Sequence, residues 1–150
     1  MMFYLAGAID LSSDNSYKEM MLQSANELGI CTFDPKGAFS ISNPTKEDAE
    51  KLMSINEKAM LTCDGVVFLF DESTPSIGTP IELKIANMKN VPNIVIYVTD
   101  SIDGMVPMYI TGLADEIHVT SRSGMQGGID YGIRSLKKRI DLDKSATNTK

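Results

Sequence analysis

The sequence predicts an α/β fold: a single-domain, mainly parallel five-stranded sheet flanked by helices, Rossmann- or flavodoxin-like in kind. Three observations carry this. Short runs rich in β-branched and aromatic residues alternate with longer segments whose apolar residues recur at helical spacing. Two of those runs, 65–70 and 93–98, are apolar without alternation, as strands covered on both faces are. The chain has 150 residues and 43 % apolar content, enough for one core without disulfide or metal staples. Residues 1–140 read as the domain, and 141–150 as a polar, flexible C-terminal tail.

Residues 3–6 read as the first strand, and Gly7 at its exit lets a ligand or another backbone come close. Tyr17, Met21, Ala25 and Leu28 form a helical stripe that Gly29 stops. Residues 30–33 form a short second strand. The loop over 34–45, punctuated by Pro35, Gly37 and Pro44, has the length of a lid. Thr45 with Asp48 makes a capping box for a second helix, whose stripe runs Ala49, Leu52, Met53, Asn56, Ala59, Met60 and Cys63. Asn56 lies on the apolar side of that stripe, where a buried amide is either a structural bracket or a ligand contact.

Next comes the strand over 65–70, then a polar Pro/Gly loop over 71–78, then a third helix. Thr79 as N-cap, Pro80 at the first helical position and Glu82 three residues after the cap form a helix-start signature. Ile81, Ile85 and Met88 are its expected buried stripe, and Asn90 ends it before Pro92. A strand over 93–98 follows, then a loop over 99–112 with about one helical turn. Residues 116–119 are the last strand. Residues 123–128 form a turn-rich joint, and Ile129, Ile133, Leu136 and Ile140 mark a closing helix. A strand, a loop and a helix N-terminus in succession mark where open α/β sheets bind ligands.

Glu82 stands at that junction with two readings. As the third residue of a capping box it bonds back to the Thr79 amide and does nothing more. As an ionised carboxylate favoured by the helix dipole, it is a nucleophile.

Composition excludes several classes. The formal net charge is −6, and the clearest basic cluster, Arg134, Lys137, Lys138 and Arg139, suits the solvated face of a final helix, so duplex nucleic acid is not an expected partner. The sequence has no apolar run of membrane-spanning length, so no membrane partner is expected. Residues 1–7 lack a basic region before an apolar stretch, and a cytoplasmic location is expected. Cys31 and Cys63 read as buried free thiols. With His118 as the one imidazole, neither a His-based metal site nor a Ser-His-Asp triad is supported, and no metal ligand set is assigned.

Residues 3–7 (Phe-Tyr-Leu-Ala-Gly), Asn56 eight residues before the Asp64-Gly-Val-Val strand start, and Ser76-Ile-Gly-Thr-Pro-Ile-Glu82-Leu through Ala86 together resemble the nucleoside 2-deoxyribosyltransferase superfamily. The superfamily includes base-exchanging transferases and N-hydrolases of deoxynucleoside 5′-monophosphates, and the resemblance covers residues 3 to about 119. It implies that Glu82 is the nucleophile toward the anomeric carbon and that Tyr4 helps hold it or the sugar. It implies that Gly7, Asp10, Ser76, Gly78, Thr79 and Met108 contact substrate. Asn56 falls where many members carry an Asp that handles the base proton; an amide can hydrogen-bond a base but cannot protonate it. Asp64 is structural.

The two subfamily signals conflict. Pro75-Ser76-Ile77-Gly78 resembles the hydrolases, which use that Ser on the 5′-phosphate. Asp10 stands where they place a cation, and a hydrolase Ser expected near Pro107 is missing. The resemblance therefore implies transfer of deoxyribose from a deoxynucleoside to another free nucleobase. Hydrolysis of a deoxynucleotide is the alternative, and a non-catalytic nucleotide-binding module is a further one. It implies no metal or organic cofactor. It also implies a homo-oligomer, dimer or higher, with shared active sites, for which the segment around Met105 and Met108 is a contact candidate; ordinary core is the other reading of those methionines.

Overall fold

Strands β1 (Met2–Gly7), β2 (Cys31–Phe33), β3 (Gly65–Asp71), β4 (Asn93–Val98) and β5 (Ile117–Thr120) pair in parallel, in the order β2-β1-β3-β4-β5. This is the expected α/β architecture. The computed structural model describes residues 1–7, 16–33, 45–74, 76 and 78–147. The register sets Tyr4 beside Val66 and Gly7 beside Leu69, and Val66 beside Asn93. Strands β3 and β4 are covered on both faces, which is why their sequences are apolar without alternation. The order reverses at β1, where the chain runs outward to β2 and then back to β3. A parallel sheet binds ligands outside the carboxyl ends of its strands at such a switch.

Helices α1 (Ser16–Glu27) and α5 (Met125–Thr147) cover one face. Met21, Ala25, Ile129, Ile133, Leu136 and Ile140 pack there against Phe3, Leu5, Val67, Leu69, Ile94 and Ile96, as their periodicity predicts. Gly128 lets α5 approach β5: a Cβ there would lie 2.8 Å from Thr120. The helix α5 begins at Met125, inside the expected joint, and continues to Thr147, so residues 141–147 of the expected tail are helical. Lys137 to Asp141 at 2.6 Å and Lys144 to Asp64 at 2.6 Å support that extension.

Helices α2 (Lys46–Thr62), α3 (Gly78–Met88) and the short α4 (Met108–Leu113) lie on the other face. The Thr45–Asp48 capping box forms as expected. Two stripes depart from expectation. On α3 the sheet-facing residues are Thr79, Leu83 and Ala86, whereas Ile81 and Met88 are exposed. On α2, Met60 is buried but Met53 is exposed and Ala49 lies outside the core. For Met53 and Ile81 the reason is geometric: they face a cleft rather than the sheet. Asn90, at φ 54°, turns the chain out of α3 in the left-handed region that Asn tolerates.

Cys63 is buried, and burial pushes its thiol up to about 11, with Asp64 adding to the shift. Cys31 is exposed rather than buried, because it opens the short edge strand. Met105 and Met108 are exposed too, at 83 % and 90 %, which rules out the core reading for them. The basic cluster is divided: Lys137 pairs with Asp141, and Arg139 reaches Asp115, Glu116 and the Asn93 carbonyl. No helix among the described residues is long and apolar enough to cross a membrane.

Candidate active site

A cleft of about 1050 Å³ opens at the carboxyl ends of β1 and β3, between α2 and α3. Apolar side chains dominate its walls, Leu52, Met53 and Met60 from α2 and Ile81 and Ile85 from α3. Met53 and Ile81, exposed on their helices, are therefore part of the wall of a ligand-sized space. Sequence periodicity marks those residues as apolar but cannot say whether a helix face meets sheet or cavity.

The central contact crosses the cleft floor. Tyr4, wholly buried on β1, donates its hydroxyl proton to Glu82 Oε1 at 2.7 Å. The two residues are 78 positions apart and meet because β1 lies beside β3, whose exit leads into α3. Tyr4 also stacks on Phe33, with ring centroids 5.7 Å apart, which fixes its ring. Glu82 is half-buried. Burial pushes its carboxyl above the usual range, while the Tyr4 hydroxyl and the Lys18 charge pull it back down. The net result is a desolvated carboxyl held above its ordinary range, with the Tyr4 hydroxyl and the Lys18 charge offsetting part of the cost of ionising it.

The capping-box reading of Glu82 does not hold. Helix α3 starts at Gly78, and the Ser76 hydroxyl takes the capping place, accepting from the Thr79 N–H at 3.3 Å and the Thr79 hydroxyl at 2.9 Å. The cap thus lies three residues upstream of the expected one, and this frees Glu82 to turn toward Tyr4.

Asn56 lines the same cleft, and its Oδ1 is buried with no hydrogen-bond partner among the described residues. A shielded acceptor without a donor costs free energy, about 1–3 kcal/mol, that a ligand N–H would recover. Of the two sequence readings, this geometry favours the ligand contact over the structural bracket. Gly7, Ser76, Gly78 and Thr79 also line the cleft. Gly7 admits the Tyr17 ring as well: a Cβ there would lie 3.0 Å from Tyr17 Cε2. Asp64 is structural as expected, accepting from Lys144 and from the Met2 N–H at 2.7 Å, and those bonds hold its carboxyl below the usual range.

One expected contact among the described residues, Met108, is not brought to the cleft. It stands exposed at the start of α4 and does not line the space within one chain. Asp10 and, but for Thr45, the expected lid over 34–45 lie outside the described residues. The sequence reading missed Lys18, a lysine only 6 % exposed whose charge acts on Glu82. It follows Tyr17 on the core stripe of α1, and a charged residue beside a buried aromatic is the signal that could have found it. Glu50 and Glu57 were missed as well; with Glu82 they are the charged side chains lining the cleft among the described residues.

No protein-family model matches the sequence, and no curated protein matches it. Solved structures do match in fold. A 2-deoxyribosyltransferase from Bacillus psychrosaccharolyticus superposes with a TM-score of 0.67 at 14 % identity, covering 91 % of this chain and 96 % of that one. A conserved protein from Enterococcus faecalis V583 gives 0.70 at 17 %, over 93 % and 98 %. A CMP N-glycosidase from Clostridium botulinum gives 0.59 at 11 %, over 87 % and 97 %. At these identities the superpositions establish a shared fold.

Proposed function

We propose that the chain belongs to the nucleoside 2-deoxyribosyltransferase superfamily and cleaves the N-glycosidic bond of 2′-deoxynucleosides, handing the deoxyribosyl group to another nucleobase. The observation that carries this is the Tyr4–Glu82 pair, a braced carboxylate on the floor of a nucleoside-sized apolar cleft. A Glu82 oxygen attacks C1′, the C1′–N bond breaks, and its electron pair leaves with the base, which takes a proton from solvent. The acceptor base then attacks C1′ and loses a proton, and the C1′–O bond to Glu82 breaks, restoring the carboxylate. Asn56 holds the base through its amide; it supplies no proton.

The fold shared with a 2-deoxyribosyltransferase and an N-glycosidase supports this class of chemistry. A second reading, hydrolysis of deoxynucleoside 5′-monophosphates, draws on the Ser76 setting. One feature counts against it: the charged side chains of the described lining are carboxylates, which repel a phosphate. The exposure of Met105 and Met108 suits the expected contact with a second copy that completes the site; light scattering that finds only monomer under assay conditions would remove that element.

The test is chromatography of the protein with each deoxynucleoside and each deoxynucleoside 5′-monophosphate, with and without a second free base. A new nucleoside formed only with the acceptor present is the expected result. Free base plus deoxyribose 5-phosphate without acceptor would establish the hydrolase instead. No product from any substrate, together with a heat-denaturation shift by deoxynucleosides, would leave a binding module.

A further inference from the structure

We propose that Arg122, which lies outside the cleft, is a positioning residue that fixes the loop between β3 and α3 and so places Ser73 and Thr74 on the cleft rim. This deepens the proposed function, since it assumes that the cleft is the reaction site. Ser73 and Thr74 line the cleft, yet they sit on a loop at the exposed end of β3. Such loops need an anchor if they are to hold a ligand in one pose.

One guanidinium provides it. Arg122 Nη2 donates to Asp71 Oδ1 at 2.8 Å and to Ser73 Oγ at 2.5 Å. Asp71 Oδ1 also accepts from the Ser73 N–H and the Ser73 hydroxyl, each at 2.9 Å. Arg122 is held in turn from β4: its own N–H donates to Asp100 Oδ1 at 2.8 Å, and its Nε lies 3.7 Å from Asp100 Oδ2. Residues following β3, β4 and β5 are thus tied at a single side chain. The Arg122 side chain is half exposed, at 50 %, so solvent screens its ion pairs and they add little to global stability. What the arrangement supplies is placement: Nη2 bonds Asp71 and Ser73 while Nε faces Asp100, so separate nitrogens of one planar group reach both sides, which the single nitrogen of a lysine does not match.

The experiment compares Arg122→Met, Arg122→Lys and Asp100→Asn with the wild-type protein. Arg122→Met is expected to lower kcat/KM for the preferred deoxynucleoside by about 10- to 100-fold, the cost of a small misplacement, carried by KM rather than kcat. Its melting temperature is expected to stay within about 4 °C of wild type. Arg122→Lys should recover part of the loss, and Asp100→Asn should show a smaller rise in KM. Amide hydrogen exchange over 72–74 should accelerate in Arg122→Met while β3 and α3 keep their protection. Unchanged exchange and unchanged KM would overturn the proposal, as would a large fall in melting temperature for Arg122→Met with Asp100→Asn kinetically silent. If the wild-type protein turns over no substrate, the proposed function fails, and the exchange measurement still decides whether Arg122 orders the loop.

Discussion

The two faces of the sheet are covered in different ways. Between α1 and α5 an apolar core is joined by a polar cluster whose members meet one another. The Ser24 hydroxyl donates to Asp130, and Gln126 Nε2 reaches Ser24 Oγ at 3.1 Å and Asp130 Oδ1 at 3.2 Å. Between α2 and α3 the Asn56 oxygen has no partner among the described residues, a carboxylate is desolvated, and Met53 and Ile81 stand exposed on the cleft wall. The first face is closed by apolar packing. The second is left incomplete, and an incomplete face on a rigid sheet is where a ligand recovers free energy that folding does not.

This contrast breaks most sharply at Glu82. Replacing it with Ala or Gln should reduce turnover by on the order of 10⁴- to 10⁶-fold, the scale for removing a nucleophile's unit, while the fold persists; steady-state assays with circular dichroism check both. On the closed face the converse is expected. Ile133→Ala, at a wholly buried α5 position, should cost about 2–5 kcal/mol in urea unfolding and leave KM unchanged. Tyr4→Phe removes a hydrogen bond to a charged group, about 1.5–3 kcal/mol, so kcat should fall about 10- to 100-fold. Asn56→Leu should raise stability by about 1 kcal/mol while weakening deoxynucleoside binding about tenfold, read by thermal unfolding and calorimetry.

The smallest effect concerns pH. The folded-state pKa of Glu82 is raised, so the native state holds a proton that the unfolded state releases. Its contribution to stability is therefore present at low pH and lost as pH rises through the folded value. Wild type should lose stability relative to Glu82→Gln over that window. Lys18→Met should move the acid limb of kcat/KM to higher pH, because a charge that favours the ionised carboxylate is gone; an unmoved limb would show that Lys18 only packs.

Much of the site was legible because a βα junction is a local pattern. The strand at 65–70, the polar loop and the following helix place Glu82, and Asn56 shows itself as an amide on an apolar stripe. Thr79 misled for an instructive reason: Thr-Pro-Ile-Glu satisfies the capping rule locally, but Ser76 caps the helix from three residues earlier. Ile81 and Met88 misled in the same way, since 3.6-residue periodicity finds the apolar face and not what covers it.

The sequence by itself determined the alternation of strands and helices, the apolar stripes of α1 and α5 and the candidate nucleophile, since each depends on residues near one another in the chain. Only the tertiary structure decided that Tyr4 meets Glu82, that Lys18 bears on it, and that Arg122 ties Asp71, Ser73 and Asp100. Those contacts join residues brought together by the strand order, and that order is set by the packing of the whole sheet and not by any local stretch of sequence.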